Sequence, residues 1–478
     1  MKRWLVTVLL MSCVVVAGAR VKLPAVLGNG MMLQQQSEVK LWGWATPDAE
    51  ISITPSWEGA STVVTQADSN GRWSAHLQTP AGGYDVYEIS FSEAGEQTVI
   101  SNVQIGEVWL AGGQSNMEMP LEGFPGCFVQ DGLDDAIAAA TASPGVRIFT
   151  VPRRHAYTPL DDCEGEWEDM NDFRRVMKMS AVAYYFASNL SRALHMPVGM
   201  IACPYGGTRV ESWLPREILE GYPDIPTDSV EIVNSVPDYE RQMAAYYGMF
   251  CAIKGYTVRG MIWYQGCSNV NTYSTYADRL TTMVEHWRQE MESGEIPFYF
   301  VEIAPYNYDT GDEARGARLR EAQFHTLSTI ANSAMVSTND LVEPYEYYNI
   351  HPKNKKTVGH RLSYVALNKT YGMTEVCCEG PQFCGWTVKD NEAWVAFDHL
   401  QMGICRNYDI QGFELAGEDH VFYPADDAWL HWQTNEIVVS SKQVSKPVAV
   451  RYCFRDFQIG TLKGGNALPA IPFRTDDF

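Results

Sequence analysis

Residues 108–121 read VWLAGGQSNMEMPL. The apolar run from Val108 to Ala111 stops at Gly112-Gly113, and Gln114-Ser115-Asn116-Met117 follows at once. A short apolar run closed by glycines reads as a buried strand, and a serine just beyond it opens a helix. The first N–H groups of a helix have no partner within it and favour negative charge. Ser115 there is either a plain capping hydroxyl or a nucleophile whose own N–H begins an oxyanion hole. What decides between them is the company the rest of the chain brings to the same edge.

Two later apolar runs end in the same way. GMIAC (199–203) leads into Pro204-Tyr205-Gly206-Gly207-Thr208, and MIWY (261–264) leads into Gln265-Gly266-Cys267-Ser268-Asn269. Helical patterns at 180–194, 276–291 and 354–369 alternate with strand-like runs at 298–305 and 333–340. Alternating strands and helices predict a parallel sheet covered on both faces, with functional groups at the carboxyl ends of its strands. The glycine turns would let backbone N–H groups approach a reacting carbonyl, and the Asn269 amide adds an uncharged donor. His351, in EYYNIHPKNKKTVGHRL (346–362), precedes the last helix, and Pro352 fixes its turn. Among the ten histidines it is the expected general base. The flanking G-Q-S-N-M departs from the G-x-S-x-G elbow because Met117 stands where the second glycine would be, which disfavours an ordinary α/β-hydrolase.

On either side the period changes to two. VKLWGWA (39–45) and YDVYEISFSE (84–93), with the hairpin turn Asn70-Gly71 between them, predict an N-terminal β-sandwich-like domain over 20–105. Alternation returns after Tyr371 and predicts a C-terminal β domain over 372–478. The catalytic candidates fall in the α/β domain between them, 106–371, where the polar stretch 122–172 reads as an irregular insertion bordering the site.

Composition excludes several classes. Of 478 residues 46% are hydrophobic and 20% charged, the profile of a folded multidomain chain. A formal charge of -22 argues against nucleic acid or an anionic membrane as partner. Lys2-Arg3, the apolar run Leu5 to Val16 and Ala17-Gly18-Ala19 form the three parts of a signal peptide, so residues 1–19 are expected to direct export to a periplasmic or extracellular space. Lipoprotein anchoring at Cys13 is the less favoured variant, because the apolar run continues past it, and no membrane span is expected in the mature chain. Ten of the 11 cysteines would remain, an even number in an exported chain, so disulfides are expected, with Cys377, Cys378 and Cys384 candidates for a local bridge. No cysteine spacing matches a zinc site, and no metal or cofactor is expected. Asn189 and Asn368 begin glycosylation sequons.

The four blocks resemble those of the SGNH or GDSL-like hydrolases. GQSNM (113–117), GGTRVESW (206–213), WYQGCSN (263–269), IHPKNKKTVGHRL (350–362) and GFELAGED (412–419) resemble the sialate O-acetylesterase family within them. The likeness runs from MMLQ (31–34) to ALPAIPFRTD (467–476). It implies a flavodoxin-like SGNH parallel-sheet domain flanked by N- and C-terminal β domains. It also implies Ser115 as nucleophile, His351 as base, and an oxyanion hole from the N–H groups of Ser115, Gly206 and Gly207 with the Asn269 side chain. Gln114, Gln265 and Arg209 are the candidate substrate-binding side chains, and Arg318 is a second arginine that could hold a carboxylate. Two departures leave the third triad member open. Relatives usually carry glutamate where this chain has Cys267, and many carry aspartate three residues before the histidine, where Tyr348 stands. Asp340, Glu343 or no acid at all would then orient His351, and Cys267 offers an alternative thiol nucleophile. The expected function is an exported esterase removing O-acetyl groups from sialic acids. A xylan or pectin acetylesterase and a non-catalytic glycan-binding protein are the rival readings, and the oligomeric state is open.

Overall fold

The computed structural model describes residues 21–142 and 145–478. The expected signal peptide, with Cys13, lies outside the described residues.

The stretch quoted above ends the longest strand, β1 (Glu96–Gly113). Its first half alternates in burial, whereas Ile105 to Gly113 is buried without a break. The change of period marks a change of environment within one strand. The first half pairs antiparallel with Gly83–Glu93 in the N-terminal β unit, and the second is the centre of the α/β sheet. That unit stacks the ribbon of Glu38–Trp44 and Arg72–Gln78 on the sheet holding Glu50–Pro55 and Gly83–Glu93, with Trp73 and Phe91 packed between at a ring separation of 5.7 Å.

The central sheet adds β2 (Val146–Thr150), β3 (Trp167–Asp169), β4 (Val198–Pro204), β5 (Gly260–Tyr264), β6 (Phe298–Val301) and β7 (Ser333–Val336). Their order is β7-β6-β5-β1-β4-β2-β3, with every neighbouring pair parallel except β2 and β3. β1 has β4 on one side and β5 on the other, so the connections leave its carboxyl end in opposite directions and open a crevice there. Among the helices are α1 (Ser115–Glu118), α2 (Gly132–Ala142), α3 (Ala181–Leu194), α4 (Tyr273–Glu290), α5 (Arg315–His325) and α6 (Lys355–Val365). α3 and α6 pack together closely enough that a Cβ on Gly359 would lie 2.6 Å from the Tyr185 Cβ. α4 covers the opposite face, where Trp287 meets Trp263 of β5 with ring centroids 5.6 Å apart.

The stretch 122–172 is more ordered than the sequence suggests, for it carries α2, β2 and β3 and extends the sheet. β2 spans only five residues, too few for periodicity to separate a strand from a loop. The C-terminal β unit is two four-stranded sheets, with Phe397 and Phe413 both packed on Phe473. It is tied to α5: the buried Asp456 carboxylate accepts the Gly316 N–H at 2.7 Å, and Arg474 grips Glu321 with two bonds of 2.9 and 3.1 Å.

The expectation of disulfides is not met among the described residues. All ten cysteines from Cys127 onward are free, including Cys377, Cys378 and Cys384. Cys203, Cys251, Cys267 and Cys453 are each buried and act as small apolar fillers of the core. No helix among the described residues is long and apolar enough to cross a membrane.

Candidate active site

Gly113 has φ +132, a region open to glycine, and a Cβ there would lie 2.3 Å from the Tyr264 carbonyl oxygen. That same oxygen accepts the Gln114 N–H at 2.9 Å. The strand can therefore turn sharply at its tip and set Ser115 at the start of α1. Ser115 Oγ lies 2.8 Å from His351 Nε2, the separation of a nucleophile hydrogen-bonded to its base. Accepting the serine proton at Nε2 requires the ring proton on Nδ1. Two blocks 236 residues apart in sequence thus meet at the carboxyl edge of the sheet.

His351 is held from several sides. Its backbone N–H donates to Asn349 Oδ1 at 3.0 Å, and its ring meets Phe124 edge-on with centroids 5.1 Å apart. Asn116, beside Ser115, donates to the Ile350 carbonyl at 3.0 Å and accepts from Lys355 Nζ at 2.6 Å. Lys355 is 1% exposed, and burial pulls its ammonium down to about 7. Burial, helped by the nearby Lys355 charge, lowers His351 to about 4.

No carboxylate among the described residues hydrogen-bonds or pairs with His351. The Asp340 side chain is 3% exposed and accepts both prongs of Arg361, at 2.7 and 2.8 Å, with Lys463 at 2.7 Å. Its burial opposes ionisation, but the two cations overcome that and hold the carboxyl below its usual range. Glu343 closes a capping box with Glu346 and lies 3.8 Å from Lys353. Cys267 is buried beside Tyr308 and Lys355, and burial raises its thiol, which leaves it a poor nucleophile.

Gly206 lies against Ser115, since a Cβ on it would meet the Ser115 Cβ at 3.2 Å. The neighbouring Gly207, at φ +82, leaves no room for a Cβ, which would come within 2.4 Å of the Tyr239 ring. The Ser115 N–H is the first of α1 and has no acceptor within that helix. The Asn269 amide is committed internally: Oδ1 accepts from Val210 N–H and Gln265 Nε2, while Nδ2 donates to Glu211 at 3.0 Å and Thr272 at 3.2 Å. Gln265 is likewise spent on Thr208, Asn269 and Tyr276. Gln114 differs, for its Oε1 accepts the Gly266 N–H at 2.8 Å while its Nε2 has no protein acceptor among the described residues. Arg209 pairs with Glu240 at 2.7 Å, and Arg318 pairs with Asp312.

Sequence reasoning missed Asn116, Phe124, Lys355 and the pair Glu118–Arg153. Glu118 sits three residues after Ser115, a spacing that shares a helix face and could have flagged it. Arg153 and Phe124 carry no such local signal. Among the described residues no group of three or more His, Cys, Asp or Glu side chains is placed to hold a metal ion.

Residues 105–368 match the model of the family described as carbohydrate esterase, sialic acid-specific acetylesterase. The chain is 27% identical to the sialate O-acetylesterase of Pongo abelii and 26% identical to that of Homo sapiens, in each case over 96% of this chain and 93% of the relative. Among solved structures, a carbohydrate acetylesterase from Xanthomonas citri superposes with a TM-score of 0.84 at 30% identity, covering 96% of this chain and all of that one.

Proposed function

Because the chain belongs to the sialic acid-specific acetylesterase family of carbohydrate esterases, we propose that it removes O-acetyl groups from sialic acids by way of an acetyl-Ser115 intermediate. The observation that carries the serine mechanism is the 2.8 Å contact between Ser115 Oγ and His351 Nε2.

His351 takes the hydroxyl proton as Ser115 attacks the acetyl carbonyl carbon, and the resulting imidazolium returns that proton to the departing sugar oxygen. Water then attacks the acetyl-serine while His351 accepts its proton, and the imidazolium hands that proton to Ser115 Oγ as the acyl–oxygen bond breaks and acetate leaves. The developing oxyanion is met by the N–H groups of Ser115 and Gly206, with Gln114 Nε2 as the uncommitted side-chain donor. Asn269 serves by bracing the turn after β5 against the segment around Val210 and Glu211. Ser115 and His351 work as a dyad. Lys355 and Asn116 fix the geometry that an acid would otherwise supply, and burial keeps the imidazole neutral and ready to accept. The basic, apolar and small-residue runs of 1–19 support export as the route to an extracytoplasmic glycan substrate.

Acetate release from O-acetylated sialic acid and from acetylated xylan, by the wild type and Ser115→Ala side by side, tests this reading. Release from the sialic acid that falls by about 10³-fold or more in the variant is the expected outcome. Equal release by both proteins would remove the serine mechanism, and release from xylan alone would remove the sialic acid.

A further inference from the structure

Glu118 projects from α1 one turn beyond the nucleophile and is held by Arg153 in a two-pronged pair, Nε to Oε1 and an Nη to Oε2, each at 2.5 Å. The same Oε2 accepts the Gly206 N–H at 2.9 Å. A carboxylate oxygen therefore occupies the donor that the acyl oxygen needs. Arg153 comes from the loop after β2, its side chain is 53% exposed, and its guanidinium lies over the Tyr205 ring at 5.1 Å. Tyr205 is fixed in turn by a 2.6 Å bond to His155 and leads directly into Gly206. Arg209 and Arg318 pair with carboxylates that do not touch this turn.

We propose that Arg153 is the binding site for the substrate's own carboxylate, and that Glu118 fills that place in the free enzyme while closing the oxyanion hole. This rests on the reading above that Gly206 serves the acyl oxygen of an acidic sugar. An incoming carboxylate takes the Arg153 fork, exchanging one bidentate pair for another at little net cost. Glu118 then turns out to water and releases the Gly206 N–H to the ester. A neutral ester has no anion to offer, so it must part Glu118 from the turn without a replacement bond. The site thereby couples recognition of the acid to completion of the catalytic machinery, which is specificity through induced fit.

The test compares an O-acetylated N-acetylneuraminic acid with its C1 methyl ester, which keeps the acetyl group and loses the charge, alongside 4-nitrophenyl acetate. The wild type should favour the free acid by about tenfold or more in kcat/KM, the scale of one charged hydrogen bond. Glu118→Gln should raise turnover of the methyl ester and of 4-nitrophenyl acetate and shrink that preference, a gain that a merely damaged fold would not give. Arg153→Met should bring the free acid down to the level of the methyl ester. Equal wild-type rates on acid and methyl ester, or a Glu118→Gln variant slower on all three esters, would overturn the proposal while leaving the esterase reading intact. Turnover of 4-nitrophenyl acetate with neither sialic acid ester cleaved would overturn the sialic acid reading and this proposal together.

Discussion

Half-buried His351 and fully buried Lys355 stand four residues apart, and each is pushed towards its neutral form by loss of water. The kinetic consequence is a base that stays competent in acid. With His351 at about 4 in place of its ordinary 6.5, the acid limb of kcat/KM should fall near pH 4, and a limb near 6.5 would show an imidazole paired with an acid. Lys355→Met removes the second, smaller cause of that shift, so the limb should move upward by a fraction of a unit while burial keeps it below 6.5. The same shift has a sign for stability. A histidine whose folded value lies below its unfolded one favours the native state fully above about 6.5, and that contribution is lost as pH falls towards 4. A pH series of thermal unfolding for the wild type against His351→Gln reads it as a difference in slope across that window.

Single elements carry the site by where they end. The Asp340 loop follows β7, and its carboxylate is consumed by Arg361 of α6 and Lys463 of the C-terminal β unit. Asp340→Asn leaves the buried Arg361 and the partly buried Lys463 without their anion, a loss of about 3 kcal/mol or more, so its melting temperature should drop by several degrees. Because Asp340 does not reach His351, kcat/KM of the folded variant at 25 °C should stay within about twofold of wild type. A fall of about 10⁴ there would make it the missing triad acid. Asn116→Ala acts the other way, cutting the link from the nucleophile turn to Ile350 and Lys355. It should lower kcat by about tenfold or more, as a misplaced base does, with KM little changed.

At the scale of the whole molecule, β1 belongs to two units at once and α5 is capped by a residue of the third. The units therefore share backbone and buried charge and do not hang on linkers. A chain ended at residue 371 would lose Lys463 from Asp340 and Asp456 from the start of α5, and would uncover the surface on which Arg474 sits. Such a chain should fail to give a cooperative thermal transition, and a single sharp transition with full turnover would show the α/β unit to be self-sufficient.

The chain alone carried much of this in readable form. The buried run ending in Gly112-Gly113, the glycine turns at 206 and 266 and the alternation of strand and helix specify a parallel sheet with its chemistry at the carboxyl edge, because these are local signals of period and turn. Ser115 and His351 were legible for the same reason, each lying at the end of a recognisable run. Their 2.8 Å contact, the commitment of Asn269 and Asp340 to other partners, the unpaired cysteines and the Glu118–Arg153 pair were not legible. A hydrogen bond is spent on whichever group the fold brings within about 3 Å, and sequence separation says nothing about that distance. The short strands of 122–172 were hidden by their length, and it is pairing with β4 and β3 that makes β2 a strand. Local pattern set where the candidate groups sit, and tertiary packing decided which of them remain free of other partners.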